Sequence, residues 1–411
     1  MADIKRKVPN LRFKGFTDDW EQRKLGDEYK HIGNAFVGTA SPYYTQNGYF
    51  YLESNNIKNG QINHDHEVFI NESFYHKQLN KLLHTGDLVM VQSGHVGDTA
   101  VITEKYNGTA AHALIMFRKP KNNMLSFFLN SFFQSSNAKN RIDGLAIGNT
   151  IRHILASDMK KFVVYLPDNK EKGEVAELFL ELQKLIALQQ RKLDLLKQLK
   201  KGFLQKMFAE KNSKQPVLRF KGFHDDWEHR KLGDIALFSK GKGISKKDLQ
   251  THGIYNIVHY ADVYKFMPVQ DKVLHHSNNK MGVRIGSNSL LFAGSDVTPK
   301  GLARTTAIKQ ENVRVGGDVI IADLSEKHLN YFMSYEINMN KRFIYPFITG
   351  STVRHIHGSD LSHLNITFPS LSEQKNIAHI FNLIEHELSL LKIKKSKYQS
   401  IKKSLLQQMF I

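Results

Sequence analysis

The chain has no cysteine, nine prolines and two tryptophans among its 411 residues. Without thiols there is no disulfide framework, no cysteine-ligated zinc site and no cysteine nucleophile, which agrees with a reducing cytoplasm. No run of about 18 apolar residues occurs, so a bilayer-spanning helix is not expected. The opening stretch MADIKRKVPN lacks the apolar segment of a secretory signal. Acidic residues are scarce: 39 Asp and Glu stand against 58 Lys and Arg, a formal net charge of +19. That imbalance favours a polyanionic partner, because each cation placed on a phosphate releases a condensed counterion. There is neither a GxxxxGK[ST] phosphate loop nor an Asn-Pro-Pro-Tyr-like methyltransferase motif. Pro167-Asp168-Asn169-Lys170 supplies half of a nuclease-like signature without a properly spaced second acid. His64-Asp65-His66 and His355-Ile356-His357 each lack a third metal ligand at a convincing spacing.

What the chain does contain is itself, twice. Leu11 to Asp27 reads LRFKGFTDDWEQRKLGD and Leu218 to Asp234 reads LRFKGFHDDWEHRKLGD, with 15 of 17 positions identical at an offset of 207. Gly148 to Asp158 (GNTIRHILASD) returns as Gly350 to Asp360 (GSTVRHIHGSD) at an offset of 202, which also carries Pro167 onto Pro369 and Met207-Phe208 onto Met409-Phe410. Each half is a head, a middle and a tail. Heads and tails match, while the middles, 28–147 and 235–349, have diverged. A period near 200 is too long for a solenoid and indicates a duplicated domain plus helix.

The tails carry heptad periodicity. In the first, Val175, Leu178, Leu182, Leu185, Leu196 and Leu199 form the expected seam. In the second it is Ile377, Ile380, Ile384, Leu391, Tyr398 and Ile401, with polar interruptions at Gln189, Lys192, Glu387 and Lys394. Two matched seams in one chain most simply pair with each other. A helix of about 38 residues is roughly 55 Å long. Paired antiparallel, two of them would hold the middles at opposite ends with pseudo-two-fold symmetry.

The middles read as strands followed by a helix: Tyr49 to Leu52, Asp87 to Val91, Thr99 to Thr103, Ala113 to Phe117 and a helix from Phe127 in the first. The second offers Leu290 to Ala293, Thr306 to Ile308, Asp318 to Ile321 and a helix near 326–338. Their loops carry side chains suited to base edges and phosphates: Asn and Gln for adenine, Lys and Arg for guanine or phosphate. The candidate contacts are Asn55, Asn56, Lys58, Gln92, Ser93, His95, Arg152, Lys240, Lys242, Tyr260, Lys300 and Arg354. Arg152 and Arg354 are shared by both halves and so cannot distinguish two half-sites. They either grip phosphate or brace the frame. Trp20 and Trp227 read as packing residues that anchor the heads to the helices.

The duplicated frame, the heads around Trp20-Glu21 and Leu25-Gly26-Asp27, the run Gly86-Asp87-Leu88-Val89-Met90-Val91-Gln92-Ser93-Gly94 and the terminal heptads resemble the specificity subunit of type I restriction–modification systems, over essentially the whole chain. The resemblance implies an α+β fold in which two small mixed α/β target recognition domains, 1–167 and 211–369, are separated by two long helices, 168–210 and 370–411, packed as an antiparallel coiled coil. Each domain would read one half of a bipartite, asymmetric site in double-stranded DNA. The helices would set the spacer and dock two adenine methyltransferase subunits and, through them, restriction subunits. S-adenosylmethionine, ATP and Mg2+ would belong to those partners. This chain would have no catalytic residue, cofactor or metal of its own, no membrane contact and a cytoplasmic location. The alternatives are a self-sufficient nuclease and a coiled-coil scaffold for acidic proteins.

Overall fold

A computed structural model describes residues 7–148, 152–210, 213–278 and 280–411. The start of the N-terminal stretch, Asn149, Thr150 and Ile151 of the repeated motif, and residues 211–212 at the expected start of the second domain lie outside the described residues. The chain forms two compact units, Met1–Arg191 with Lys392–Ile411, and Lys192–Leu391. The division falls inside the long helices, Asn169–Lys206 and Leu371–Gln408. Each unit therefore holds the first part of one helix and the last part of the other. No helix among the described residues is long and apolar enough to cross a membrane.

In unit 1 the strands Tyr29–Asn34, Leu114–Pro120, Leu88–Val91 and Thr99–Val101 form an antiparallel sheet in that order. Leu88–Val91 reads as an unbroken apolar run because both of its faces are buried. Leu88 and Met90 enter a core with Phe117, Phe128 and Trp20, while Val89 and Val91 enter another with Leu52, Leu114 and Met116. The period-two alternation of a strand divides the run between them. A second sheet orders Ala110–Ala111, Tyr49–Leu52, Val68–Ile70 and Tyr44–Thr45, with Tyr51 parallel to Ala110.

Unit 2 repeats this plan with a different sequence. Ala236–Lys240, Val319–Leu324 and Ser289–Ala293 form the antiparallel sheet. His275–Ser277, Tyr255–Val258, Val313–Val315 and Val283–Arg284 form the other, with Asn256 parallel to Val313. In both units a helix follows, Leu125–Phe132 or Asn330–Met339. The diverged middles thus share their central pairings, while the edges differ: the first sheet has four strands in unit 1 and three in unit 2, and the last strand of the second sheet joins Val68–Ile70 in unit 1 but Val313–Val315 in unit 2.

The repeated frame explains itself in packing. Trp20 packs on Phe128 at 5.7 Å and Phe128 on Phe410 at 5.3 Å. In unit 2 Trp227 packs on Phe332 at 5.6 Å and Phe332 on Phe208 at 5.2 Å. Head strand Glu21–Lys24 pairs with Val163–Leu166, as Glu228–Lys231 pairs with Asn365–Phe368. The Leu11 amide donates to the Gln408 carbonyl at 2.9 Å, and the Leu218 amide to Lys206 at 2.7 Å. Each head thereby satisfies a carbonyl at the C-terminal end of a long helix. Asp168 Oδ1 accepts from the amides of Lys170 and Glu171 at 2.7 and 2.9 Å. The Pro-Asp-Asn-Lys stretch is accounted for as a helix cap.

Within each unit the two helices run antiparallel. In unit 1 Phe179 meets Phe410, Gln183 meets Lys402 and Gln190 meets Lys395. In unit 2 Leu193 packs with Leu388 while Lys200 meets Glu385 and Phe208 meets Phe381. Val175, Leu182, Ile377 and Ile384 are buried, and Leu178, Leu185, Leu196, Ile380, Leu391 and Tyr398 are half-buried. Two seam assignments need correction. Leu199 is 48% exposed and Ile401 38%. The buried and half-buried rows step through Gln189, Leu193, Leu196 and Lys200 on one helix, and through Leu388, Leu391, Lys395, Tyr398 and Lys402 on the other. A frame drawn only through apolar residues slips by one position, because lysine stems cover apolar surface while their ammonium ends find polar partners. Of the expected interruptions only Gln189 is buried; Lys192, Glu387 and Lys394 are exposed.

One buried carboxyl gives a pH signature. Glu336 is 3% exposed. Its Oε1 accepts from Asn340 at 3.1 Å and from the Thr367 amide at 3.3 Å, and its Oε2 has no partner among the described residues. Burial pushes this carboxyl up to about 8, against an ordinary 4.5. The folded state then holds a proton that the unfolded state releases, so its stabilising effect is complete below pH 4.5 and lost as pH rises to about 8. The slope is about 1.4 kcal/mol per pH unit at most. Glu336→Gln removes this dependence. The melting midpoint of the variant should gain on the parent between pH 5 and 8 and stay level above that. A gap that does not change with pH would exclude the assignment.

Candidate nucleic-acid interface

In unit 1 the strand Leu88–Val91 runs out into Gln92 and Ser93, and the frame meets it there. The Ile154 amide donates to the Gln92 carbonyl at 3.0 Å, the Gly94 amide donates to the Arg152 carbonyl at 3.1 Å, and Ser93 bridges His153. His95 is exposed, with Nε2 3.1 Å from the Ser54 carbonyl and 3.3 Å from that of Ile57. That ring ties the 92–97 loop to the 54–58 loop. Gln92, Ser93, His95, Asn55, Lys58 and Arg152, far apart in sequence, therefore belong to one connected cluster of loops. A cleft of about 250 Å³ lies beside it, lined by Gly94, His95, Lys139, Asp143 and Arg152 among others.

Asn56 leaves the candidate set. It is fully buried, and its side chain is spent on its own loop. Oδ1 accepts from the Glu53 amide at 3.0 Å, and Nδ2 donates to the carbonyls of His66 at 2.9 Å and Asn63 at 3.3 Å. Such an asparagine shapes the turn and has no free donor for a base. Asn55 and Lys58 on either side are exposed.

Unit 2 builds its cluster at the matching place. The Ile356 amide donates to the Gly294 carbonyl at 3.1 Å, and Ser295–Asp296 pairs with Arg354–His355. These contacts reproduce the Ile154–Gln92 and His153–Ser93 contacts at the same offset of 202 residues. Around Ser295 the side chains differ. Lys240 Nζ lies 2.8 Å from Asp318 Oδ1. Burial alone would raise the Asp318 carboxyl, but hydrogen bonds from Lys240 and Ser295 outweigh it and hold the group below its usual range. The Tyr264 hydroxyl donates to the Ser295 carbonyl, and Tyr260 lies half-buried one turn earlier, between His259 and Tyr264. Lys300 is exposed on the short helix Pro299–Leu302, whose Gly301 packs against the Asp296 carboxylate. Lys242 is exposed beyond this cluster, two residues from Lys240.

The two shared arginines are not equivalent. Arg152 Nη1 lies 2.9 Å from Asp143 Oδ1, and its other terminal nitrogen donates to the Asp143 carbonyl. Arg354 Nη1 donates to the Gly350 carbonyl at 3.2 Å, and Arg354 Nε has no partner among the described residues.

A second pair of arginines was not singled out from the sequence. Arg12 forms a two-pronged pair with Glu171 at 2.6 and 2.7 Å, and Arg219 does the same with Glu373 at 2.8 and 2.8 Å. Trp20 Nε1 adds a bond to Glu171 at 3.2 Å. The signal was present, since Arg12 maps onto Arg219 at the head offset and Glu171 onto Glu373 at the tail offset. Among the described residues no group of three or more His, Cys, Asp or Glu is disposed to hold a metal ion.

The domain family described as Type I restriction modification DNA specificity domain matches residues 17–198 and again 224–402. Two proteins of Methanocaldococcus jannaschii are similar along nearly their whole length. One is named putative type I restriction enzyme MjaX specificity subunit, 22% identical over 95% of this chain and 92% of its own. The other is named type I restriction enzyme MjaVIII specificity subunit, 19% identical over 95% and 91%. The crystal structure of a type I restriction–modification system S subunit from M. genitalium shares the fold, with a TM-score of 0.67 over 98% of this chain and 99% of that one at 13% identity.

Proposed function

The chain belongs to the type I restriction–modification DNA specificity family, and on that premise we propose that units 1 and 2 each read one half of a bipartite, asymmetric site in double-stranded DNA. A specificity subunit names the sequence and leaves the bond chemistry to other subunits, so this chain is not itself the enzyme. One observation carries the two-reader reading. The same frame contacts recur in both units, and the loops around them carry Asn55, Lys58, Gln92 and His95 in one but Lys240, Tyr260 and Lys300 in the other.

The roles follow from donor chemistry. Asn55 and Gln92 offer amides that can pair with adenine N6 and N7, and Ser93 and His95 offer single donors or acceptors. Lys58, Lys242 and Lys300 serve phosphates, Lys240 does so on exchanging Asp318 for one, and Tyr260 offers a ring and a hydroxyl. Arg354, with no carboxylate in ion-pair reach among the described residues, serves as a phosphate grip. Arg152 must exchange Asp143 for a phosphate to do the same, so it braces the loop until DNA arrives. The long helices set the spacer and dock two adenine methyltransferase subunits, through which restriction subunits join. S-adenosylmethionine, ATP and Mg2+ belong to those partners, and the assembly works in the cytoplasm.

The test is co-expression with an adenine methyltransferase subunit from the same system, followed by genome-wide mapping of methyladenine. A two-part motif with a fixed gap is the expected result. Methylation without any sequence motif, or DNA cleavage by the purified chain alone, would overturn the reading.

A further inference from the structure

The loop that carries Asn55 and Lys58 in unit 1 is fixed by a polar chain that reaches it from the long helices. Ile57–Lys58 and Gln61–Ile62 form a two-stranded hairpin closed by Asn59 and Gly60, with φ of 54° and 80°. Both turn residues sit in the left-handed region that an Asn-Gly hairpin turn requires. Gly60 is further constrained by approach: a Cβ there would lie 2.3 Å from Gln134 Nε2. The two turn carbonyls are both held. Gln183 Nε2 donates to the Asn59 carbonyl at 3.2 Å, and Asn130 Nδ2 donates to the Gly60 carbonyl at 3.0 Å.

Lys402 sets the orientation of this chain. Its Nζ donates to Gln183 Oε1 at 2.8 Å and to Gln134 Oε1 at 2.7 Å. An ammonium has only donors, so both glutamines must turn their oxygens toward it. That leaves the Gln183 NH2 facing Asn59 and the Gln134 NH2 facing the Asn130 carbonyl, which it reaches at 2.8 Å. No carboxylate among the described residues forms an ion pair with Lys402, and burial, with Lys139 nearby, pushes its ammonium down to about 8. A half-buried lysine without a counter-charge is costly to keep for packing alone.

The second copy of the frame supplies a control. At the offset of 202, Lys402 corresponds to Lys200 and Gln183 to Glu385. There the lysine has an ordinary carboxylate partner. Glu385 has no amide to donate, and the loop at the matching place is the short helix Tyr260–Val263 rather than a hairpin. The frame position is the same; among the described residues it holds a turn in unit 1 and a lysine in unit 2.

We infer that Gln183, oriented by Lys402, is a positioning residue for sequence recognition by unit 1: it fixes the Asn59-Gly60 turn and thereby the placement of Asn55 and Lys58 against DNA. The inference rests on the two-reader reading above. Neither residue touches a base; both act through the hairpin.

Gln183→Glu tests it selectively. The substitution recreates the lysine–glutamate pair of unit 2, so the helices keep their packing, but it removes the donor to Asn59. Lys402→Met removes the orienting cation, and Lys402→Arg, also donor-only, retains it. The full chain is titrated with three duplexes: one carrying the mapped site, one altered only in the half read by unit 1, and one altered only in the other half. Gln183→Glu and Lys402→Met should reduce discrimination at the unit 1 half by roughly ten-fold. Discrimination at the other half should stay level, and Lys402→Arg should behave like the parent. Variants that discriminate like the parent, or that lose both halves equally, overturn the positioning role. A parent protein with no preference at either half overturns the two-reader reading, and this inference with it.

Discussion

Exchange of residues 28–147 for the corresponding segment of another specificity subunit should rewrite one half of the methylated site and leave the other half unchanged. The segment starts after the head motif and ends before His153, so the frame around it stays. It contains the loops with Asn55, Lys58, Gln92, Ser93 and His95, which the frame holds through Gln92, Ser93 and Gly94. Those frame bonds are made by backbone atoms, and unit 2 makes the equivalent bonds with Gly294 and Ser295. A donor segment therefore needs the right path and not the right side chains at these points. It does need an aromatic at the position of Phe128, because Trp20 packs on it as Trp227 packs on Phe332. Each mismatched base pair costs about 1–3 kcal/mol, so preference across a half-site should shift by about three orders of magnitude. Methyladenine mapping reads the result directly. If both halves changed, the two units would not be separate readers.

The second large effect lies in the frame. Arg12→Met leaves Glu171, only 1% exposed, as a buried carboxylate without its two-pronged partner. Removing one member of such a pair costs about 3–5 kcal/mol, because the remaining charge is neither solvated nor matched. Trp20 would keep its bond to Glu171 and could not neutralise it. The double variant Arg12→Met, Glu171→Met should recover most of the loss, since no orphaned charge remains. The two tryptophans make the measurement clean: Trp20 is in unit 1 and Trp227 in unit 2. In a Trp227→Phe background, denaturant unfolding followed by fluorescence reports unit 1 alone. A single-variant loss below about 1 kcal/mol, the range of exposed pairs, would mean that water reaches Glu171.

Duplication exposed the frame, because identity at two offsets needs no knowledge of structure. It also contained the Arg12–Glu171 and Arg219–Glu373 pairs, which only required both offsets to be read together. The seam was misplaced at Leu199 and Ile401 because hydropathy does not register a lysine whose stem is buried and whose end is bonded. Strands followed by a helix were legible in both middles, but the shared central pairings were hidden, since strand pairing depends on alternation and length rather than on residue identity. The amide of Asn56 has the chemistry of a base contact. Its buried bonds to Asn63 and His66 could not be anticipated without the path of the chain.

The split of the long helices between the units also bears on synthesis. Unit 2 is one uninterrupted stretch, Lys192–Leu391, whereas unit 1 needs Lys392–Ile411 to complete it. Leu406, Met409 and Phe410 fill the core around Phe128, Phe132 and Phe179, and the Gln408 carbonyl receives the Leu11 amide. On a ribosome the reader nearest the N-terminus emerges first but is closed last, by contacts almost 400 residues apart in sequence. Contacts that distant form slowly, and a core left open in the meantime exposes apolar surface. A stop before Leu406 should therefore leave the core of unit 1 open while the residues of unit 2 are all present.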